Sequence, residues 1–304
     1  MQNPINHILI IADLEGSSGC WSYNASAFLT DDWCRACLEM SLDVNSVVSA
    51  LFDAGVKNIA IKDFHRTGYN LFPELIDPRA ILVSGYRRGP IVGIGNPRDA
   101  QAAMFLGMHA ASGSDGFLAH TLTSRIARLE VNHRLLSEVE LFAASVAQRG
   151  IRPIFFSGCP VACKQAAAVI ENIHCQAIVK SGEAENFDFN RWRRRLAKAA
   201  VESLTNFNTK PYQPAGPFDT TVTMREGKEL AVRLARRWGF KQIGDQIQFQ
   251  AVDMQQLYLR LIRLCYLTPI IENMLPLALA LFNLHGRIGI SRARRRLRRL
   301  GRMD

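Results

Sequence analysis

The chain has 304 residues, 48% of them hydrophobic and 21% charged, which excludes a disordered or fibrous protein and allows one large domain, or a main domain with a smaller attachment. The net charge of +10 is local: residues 287–304 hold eight arginines against one acid, Asp304, and supply +7 of it, so the body is nearly neutral and offers no chain-long nucleic-acid surface. Seven scattered cysteines exclude the disulfide framework of small secreted domains.

Met1 to His7 is polar, and the apolar run Ile8 to Ala12 is too short for an export signal, so the chain is expected to be cytoplasmic. His7 to Ala12 reads as a buried strand. Asp32 to Ala54 follows with helical spacing (Leu38, Leu42, Val47, Leu51). Cys34 and Cys37 have redox or zinc spacing, but they sit on this apparent helix without a second pair and read as buried thiols. Val56 to Ile61 and Ala80 to Ser84 read as strands, Arg98 to Gln101 as helix-like, and Ala102 to Gly107 as a strand. Phe117 to Leu122 and Arg128 to Asn132 look like paired extended segments. Leu136 to Gln148 reads as a helix, Pro153 to Ser157 as a strand, Val161 to Glu171 as a helix and Gln176 to Val179 as a strand.

This alternation predicts an α/β fold: a doubly wound, mainly parallel sheet with helices on both faces, spanning residues 1–209. Lys210 to Gly216, with Pro211, Pro214 and Pro217 close together, reads as a linker. Beyond it Thr220 to Met224 and Gln246 to Ala251 read as strands, with helices over Lys228 to Trp238 and from Asp253. They predict a smaller α+β part over residues 210–268, followed by an apolar segment and arginine-rich tail over 269–304.

Ligands of open α/β sheets gather beyond the carboxyl ends of the strands. There the first strand delivers Asp13-Leu14-Glu15, whose i, i+2 spacing lets both carboxylates face one crevice. The second delivers Asp63-Phe64-His65, and Met104-Phe105-Leu106-Gly107 delivers His109. Each residue alone has a plain reading: a turn cap for Asp13, a solvated acid for Glu15, hydrogen-bonded core imidazoles for His65 and His109. Together at one sheet edge they predict a metal centre. Ser137 and Glu140 fit a capping box, so spacing alone makes Glu138 a helix-start acid favoured by the dipole, and leaves His120 ambiguous.

The ordered set Asp13-Leu-Glu-Gly-Ser-Ser-Gly19, Lys62-Asp-Phe-His65, Phe105-Leu-Gly-Met-His109, Ala119-His120 and Ser137-Glu138 resembles the D-aminopeptidase family of zinc peptidases, peptidase family M55. So do the later runs Lys210–Pro217 and Ile247–Met254. The resemblance runs from about residue 8 to about residue 268. It implies metal ligands at Asp13, Glu15, His65, His109 and Glu138, a catalytic histidine at His120, and two Zn2+ ions per chain. It also implies release of N-terminal D-amino acids from short peptides and a ring-like homo-oligomer. The sequence departs from the family pattern at Gly158-Cys159-Pro160, Ser137, Phe142 and residues 186–198, which bear on the pocket and assembly and spare the metal set.

Two alternatives stand beside this expectation. One is a magnesium-dependent phosphohydrolase with Asp13 as nucleophile, which the histidines disfavour because Mg2+ prefers oxygen ligands. The other is a nucleic-acid or membrane-surface protein with a non-catalytic α/β body, for which the tail speaks. Met274 to Leu284 is too short to span a bilayer, but with the arginines it suits weak contact with an anionic surface.

Overall fold

A computed structural model describes residues 4–181, 183–206 and 208–303; Asp304, the single acid of the tail, and residues 1–3 lie outside this range. The strands are β1 (His7–Ala12), β2 (Asn58–Asp63), β3 (Ile81–Val83), β4 (Ala102–Met108), β5 (Ile126–Val131), β6 (Arg134–Leu135), β7 (Arg152–Gly158), β8 (His174–Ala177), β9 (Phe218–Met224), β10 (Lys241–Ile243) and β11 (Gln246–Ala251). The helices are α1 (Tyr23–Ser26), α2 (Asp31–Asp53), α3 (Glu138–Ala147), α4 (Pro160–Val169), α5 (Phe189–Glu202), α6 (Lys228–Trp238), α7 (Met254–Tyr266), α8 (Pro269–Asn273) and α9 (Leu275–Arg299).

Among the described residues the main sheet has the order β3-β2-β1-β4-β7-β8, with every neighbouring pair parallel. Both faces are covered, and the period of two in β1 shows how. Leu9 and Ile11 join the core beneath α3, α4 and the second sheet, whereas Ile8, Ile10 and Ala12 join the core beneath α2 and α5. The expected doubly wound α/β architecture is therefore present. Its strand order reverses between β1 and β4, the topological switch point where such sheets open a crevice at their carboxyl ends.

The second sheet, β10-β11-β9-β5-β6, is antiparallel. It takes β5 and β6 from before residue 209 and β9 to β11 from after it, so the C-terminal α+β elements share a sheet with the body. Two local expectations need correction. Residues 98–101 form a turn, not a helix: Arg98 adopts φ +57° directly after Pro97, which a right-handed helix does not tolerate. Residues 117–122 are a loop, not a strand paired with 128–132. Leu118 and Leu122 both have positive φ, and the His120 N–H donates to Ala110 O at 3.0 Å, folding the loop back over the end of β4. The partners of β5 are β6 and β9.

At the end of β4 the register with β7 shifts between Phe105 and Met108, and Gly107 takes φ +70°. Its carbonyl accepts from Gly16 N at 2.7 Å, and a Cβ on Gly107 would lie 2.2 Å from Asp13 O. This irregularity re-aims the chain so that His109 meets the end of β1. Among the described residues no helix is long and apolar enough to cross a membrane. Replacing Gly107 with alanine should destabilise the fold by about 2–4 kcal/mol, summing an unfavourable left-handed φ and a backbone overlap. Urea unfolding of Gly107→Ala measures this; a change below ~0.5 kcal/mol would show that the close approach is not needed.

Candidate metal centre

Six side chains meet beyond the carboxyl ends of β1, β2 and β4. Asp13 and Glu15 follow β1, His65 follows β2 and His109 follows β4; the 117–122 loop brings His120, and the first turn of α3 brings Glu138. Asp13 stands between two groups. Its Oδ1 is 3.2 Å from His65 Nδ1, its Oδ2 is 3.3 Å from His109 Nε2, and Glu15 Oε2 is 2.9 Å from His65 Nδ1. Glu138 Oε1 is 3.4 Å from His109 Nε2. Donor atoms of Asp13, Glu15 and His65 all lie within 4.8 Å of one another, as do those of His109, His120 and Glu138.

The capping box settles how Glu138 is free to point inward. Glu140 Oε2 accepts from Ser137 N at 3.0 Å and from Ser137 Oγ at 2.9 Å, so Glu140 does the capping and Glu138 does not. Glu138 Oε1 also accepts from the Leu122 N–H at 2.6 Å, which ties the His120 loop to α3. His120 stacks on His109, ring centroids 3.8 Å apart and planes 12° from parallel.

Each imidazole commits one nitrogen outward to a backbone carbonyl. His65 Nε2 lies 3.1 Å from Ser26 O, His109 Nδ1 lies 3.1 Å from Ala110 O, and His120 Nδ1 lies 2.8 Å from Leu118 O. A carbonyl only accepts, so these nitrogens hold the protons, and in the neutral rings the opposite nitrogens present lone pairs. For His65 and His109 those lone pairs face carboxylate oxygens. Acceptors crowded against acceptors in a buried site lack a positive charge between them. Glu15 Oε2 is likewise buried, with His65 Nδ1 2.9 Å away. Mixed imidazole and carboxylate donors of this kind suit a borderline-soft divalent ion such as zinc. The residues fit the group that the sequence implied.

Without an ion, protons supply the positive charge. Burial works against the charged ring of His109, yet Glu138 and Asp13 outweigh it and push its pKa up to about 10; His65 is raised well above its usual value by Glu15 and Asp13 in the same way. Burial together with the charge of Glu15 pushes Asp13 up to about 6. His120 differs: burial and the neighbouring His109 charge lower its pKa, which favours the neutral ring.

Several supporting groups had no role assigned from the sequence. Asp63 is fully buried and does not face the centre; it accepts from Asn70 N, Asn70 Nδ2 (2.9 Å) and Leu71 N (2.9 Å), while Asn70 Nδ2 also donates to His65 O at 2.6 Å. This clamp shapes the turn that aims His65. Lys180 donates to Glu15 O at 2.6 Å and to Cys20 O from a buried position that pulls its pKa down to about 8. Asp43 accepts from Ser18 N at 2.8 Å and Ser18 Oγ at 2.9 Å. A lone acid in an amphipathic helix and a lone lysine after a strand show nothing special in sequence, because their partners lie far off along the chain.

The departures from the family pattern have structural places. Phe142 packs against Phe64 at 4.3 Å, directly beneath the His65 turn. Cys159 caps α4, its Sγ accepting from Ala162 N at 3.5 Å. Residues 189–202 form α5, whose Trp192 Nε1 donates to Asp43 Oδ2 at 3.2 Å and whose Arg193 pairs with Glu39 and Asp43.

Comparison with known proteins places the chain in a family. The family model described as peptidase M55, D-aminopeptidase, matches residues 7–263. A D-aminopeptidase of Bacillus subtilis is 24% identical over 253 residues, covering 81% of this chain and 92% of that protein. The solved structure of the zinc-dependent D-aminopeptidase DppA from Bacillus subtilis, a self-compartmentalizing protease, superposes with a TM-score of 0.75 at 22% identity, covering 84% of this chain and 96% of that one. The chain belongs to the D-aminopeptidase family, peptidase M55.

Proposed function

We propose that this chain is a zinc-dependent aminopeptidase that releases N-terminal D-amino acids from short peptides. The observation that carries the reading is the convergence of imidazole lone pairs and buried carboxylates around Asp13. Asp13, Glu15 and His65 would hold one ion, and Asp13, His109 and Glu138 a second, with Asp13 shared. When bound, such a pair polarises the scissile carbonyl and makes a water acidic enough to attack near neutral pH.

The remaining work falls to the chain. The outward hydrogen bonds of His65 and His109 fix ring orientation, so the ligand nitrogens are in place before anything binds. His120, its Nδ1 proton committed to Leu118 O, keeps Nε2 as the base that takes a proton from water and returns it to the leaving amine. Its stacking on His109 holds it against that site. The magnesium phosphohydrolase alternative fits less well, because both oxygens of Asp13 face imidazoles and neither is left as a nucleophile. The relative described as self-compartmentalizing supports a homo-oligomer as the working state, to which the family resemblance adds a ring-like form. The arginine-rich tail is given an accessory role, contact with an anionic surface.

Glu138→Gln keeps the acceptor for Leu122 N–H and the side-chain volume but removes the charge. Metal affinity should fall by more than the ~10–100-fold typical of an outer-shell change. His120→Asn should keep its metal and turn over ~10²–10⁴-fold more slowly. Metal analysis and kinetics on both variants read this directly; metal loss in the His120 variant would move that residue into the ligand set.

Metal loading should also depend on pH. His109, with its pKa up to about 10 in the ion-free site, holds a proton on the nitrogen that a metal would use. Each step up in pH makes that proton easier to displace, so affinity should rise with pH until it levels off near the His109 pKa of about 10, and loading should release protons. Titration calorimetry in buffers of different ionisation enthalpy detects the release. A pH-independent affinity would contradict the lone-pair geometry.

Substrate handedness is tested with paired D- and L-aminoacyl amides and short peptides on the zinc-loaded protein. Faster release of the D-residue is expected, by at least tenfold on the order of what a shaped pocket achieves. Preference for the L-series would overturn the specificity while leaving the metal centre intact.

A further inference from the structure

The family match ends at residue 263, so α8 and α9 lie beyond it. α9 is nevertheless seated on the body. Gly286 presses on Tyr69 and Thr67, Gly289 presses on Phe28, and Ile290, Ala293 and Leu297 are buried behind them. Asn283 exchanges hydrogen bonds with the backbone of Tyr86 at 2.9 and 2.8 Å, and Arg294 and Arg296 pair with Glu74 and Asp31. These contacts fix which way the helix faces.

The opposite side of α9 has a pattern of its own. Leu277, Leu281, Leu284 and Ile288 follow an i, i+4, i+7, i+11 spacing, which places them within a sector of about 60° on an α-helix. They are 51%, 59%, 52% and 43% exposed. Arg292, Arg295 and Arg299 continue the same sector and are exposed too. Ile270 and Met274, 72% and 50% exposed, extend the apolar end through α8. The face is thus apolar along one half and basic along the other, on an otherwise nearly neutral body.

Pairing this face with the same face of a second copy over its full length is a poor match. Two such helices packed antiparallel would lay arginines on leucines, and packed parallel would lay arginines on arginines. The interface of a bilayer containing anionic lipid offers both halves a partner: acyl chains for the leucines and negative headgroups for the arginines. We propose that the outward face of α8 and α9 seats the protein on an anionic lipid surface, the apolar end dipping below the headgroups and the arginine end held at their level. This deepens the accessory role given to the tail and does not depend on the metal centre.

The test is co-sedimentation of the full chain with vesicles of phosphatidylcholine mixed with phosphatidylglycerol, and with vesicles of phosphatidylcholine alone. Binding to the mixed vesicles alone, weakening with added salt, is expected. Arg292→Gln and Arg295→Gln should each weaken binding roughly fivefold. Leu281→Glu combined with Leu284→Glu should abolish it while leaving melting temperature, metal content and turnover unchanged, because both side chains are exposed. Failure of the folded chain to bind the mixed vesicles would overturn the proposal. So would equal binding to both vesicles, or binding to duplex DNA or RNA instead. A change of oligomer size in the double variant without vesicle binding would reassign the face to a second copy. Each of these leaves the metal and turnover measurements on the catalytic centre standing.

Discussion

Asp13 stands where the central strand of the parallel sheet ends, one oxygen turned to an imidazole from β2 and the other to an imidazole from β4. It is buried, as are Glu15 and Glu138, so three carboxylates share a volume that water does not screen. Such a group survives only with compensating positive charge close by. The compensation is arranged by neighbouring strands: β2 and β4 both pair with β1 in parallel, so their carboxyl ends bring His65 and His109 to the two sides of Asp13. Much of the surrounding structure keeps that geometry in place.

The clamps that do so are themselves polar and buried. Asp63 gathers the amides of the turn after β2, and Asn70, which it orients, also accepts from Trp33 Nε1 at 3.0 Å and so ties the His65 turn to α2. Lys180 holds the carbonyl of Glu15 from β8's side of the sheet, while Asp43 holds Ser18 from α2. The segment in which the family pattern fades, residues 186–198, still serves this loop: Trp192 and Arg193 of α5 complete the coordination of Asp43. The buried Asp43 carboxylate needs donors, and α5 supplies two of them.

α9 is attached differently. Its inward face meets Tyr69 and Phe28, in the same two loops that supply His65 and the Ser26 carbonyl to the metal centre. The helix therefore buttresses one wall of the site while presenting an apolar and basic face away from it. A rigid seat of this kind distinguishes it from a solvated basic extension.

Much of the architecture was legible in the sequence for a physical reason: strands buried on both faces read as continuous apolar runs, and amphipathic helices keep their period. His7–Ala12, Lys228–Trp238 and Gln246–Ala251 lie where periodicity put them. The acids and histidines at successive strand ends could be read as one site because strand direction in a parallel sheet collects them at one edge. His120 and Glu138 could not be assigned by spacing. Glu138 obeyed the rules of a helix start behind a Ser137–Glu140 capping box, and only the structure turns its carboxylate to His109, while His120 lay on a segment whose alternation mimicked a strand. Residues 117–122 form a loop because left-handed residues and a bond to Ala110 fold them over β4, a contact that local pattern does not encode. The same holds for Lys180, Asp43 and the Ser26 carbonyl. Sequence alone determined the sheet, its winding and the acids and imidazoles at its edge, since these follow from hydrophobic period and chain order. Tertiary structure decided which nitrogen of each imidazole faces the carboxylates and which surface of α9 is left open, since both depend on partners distant in the chain.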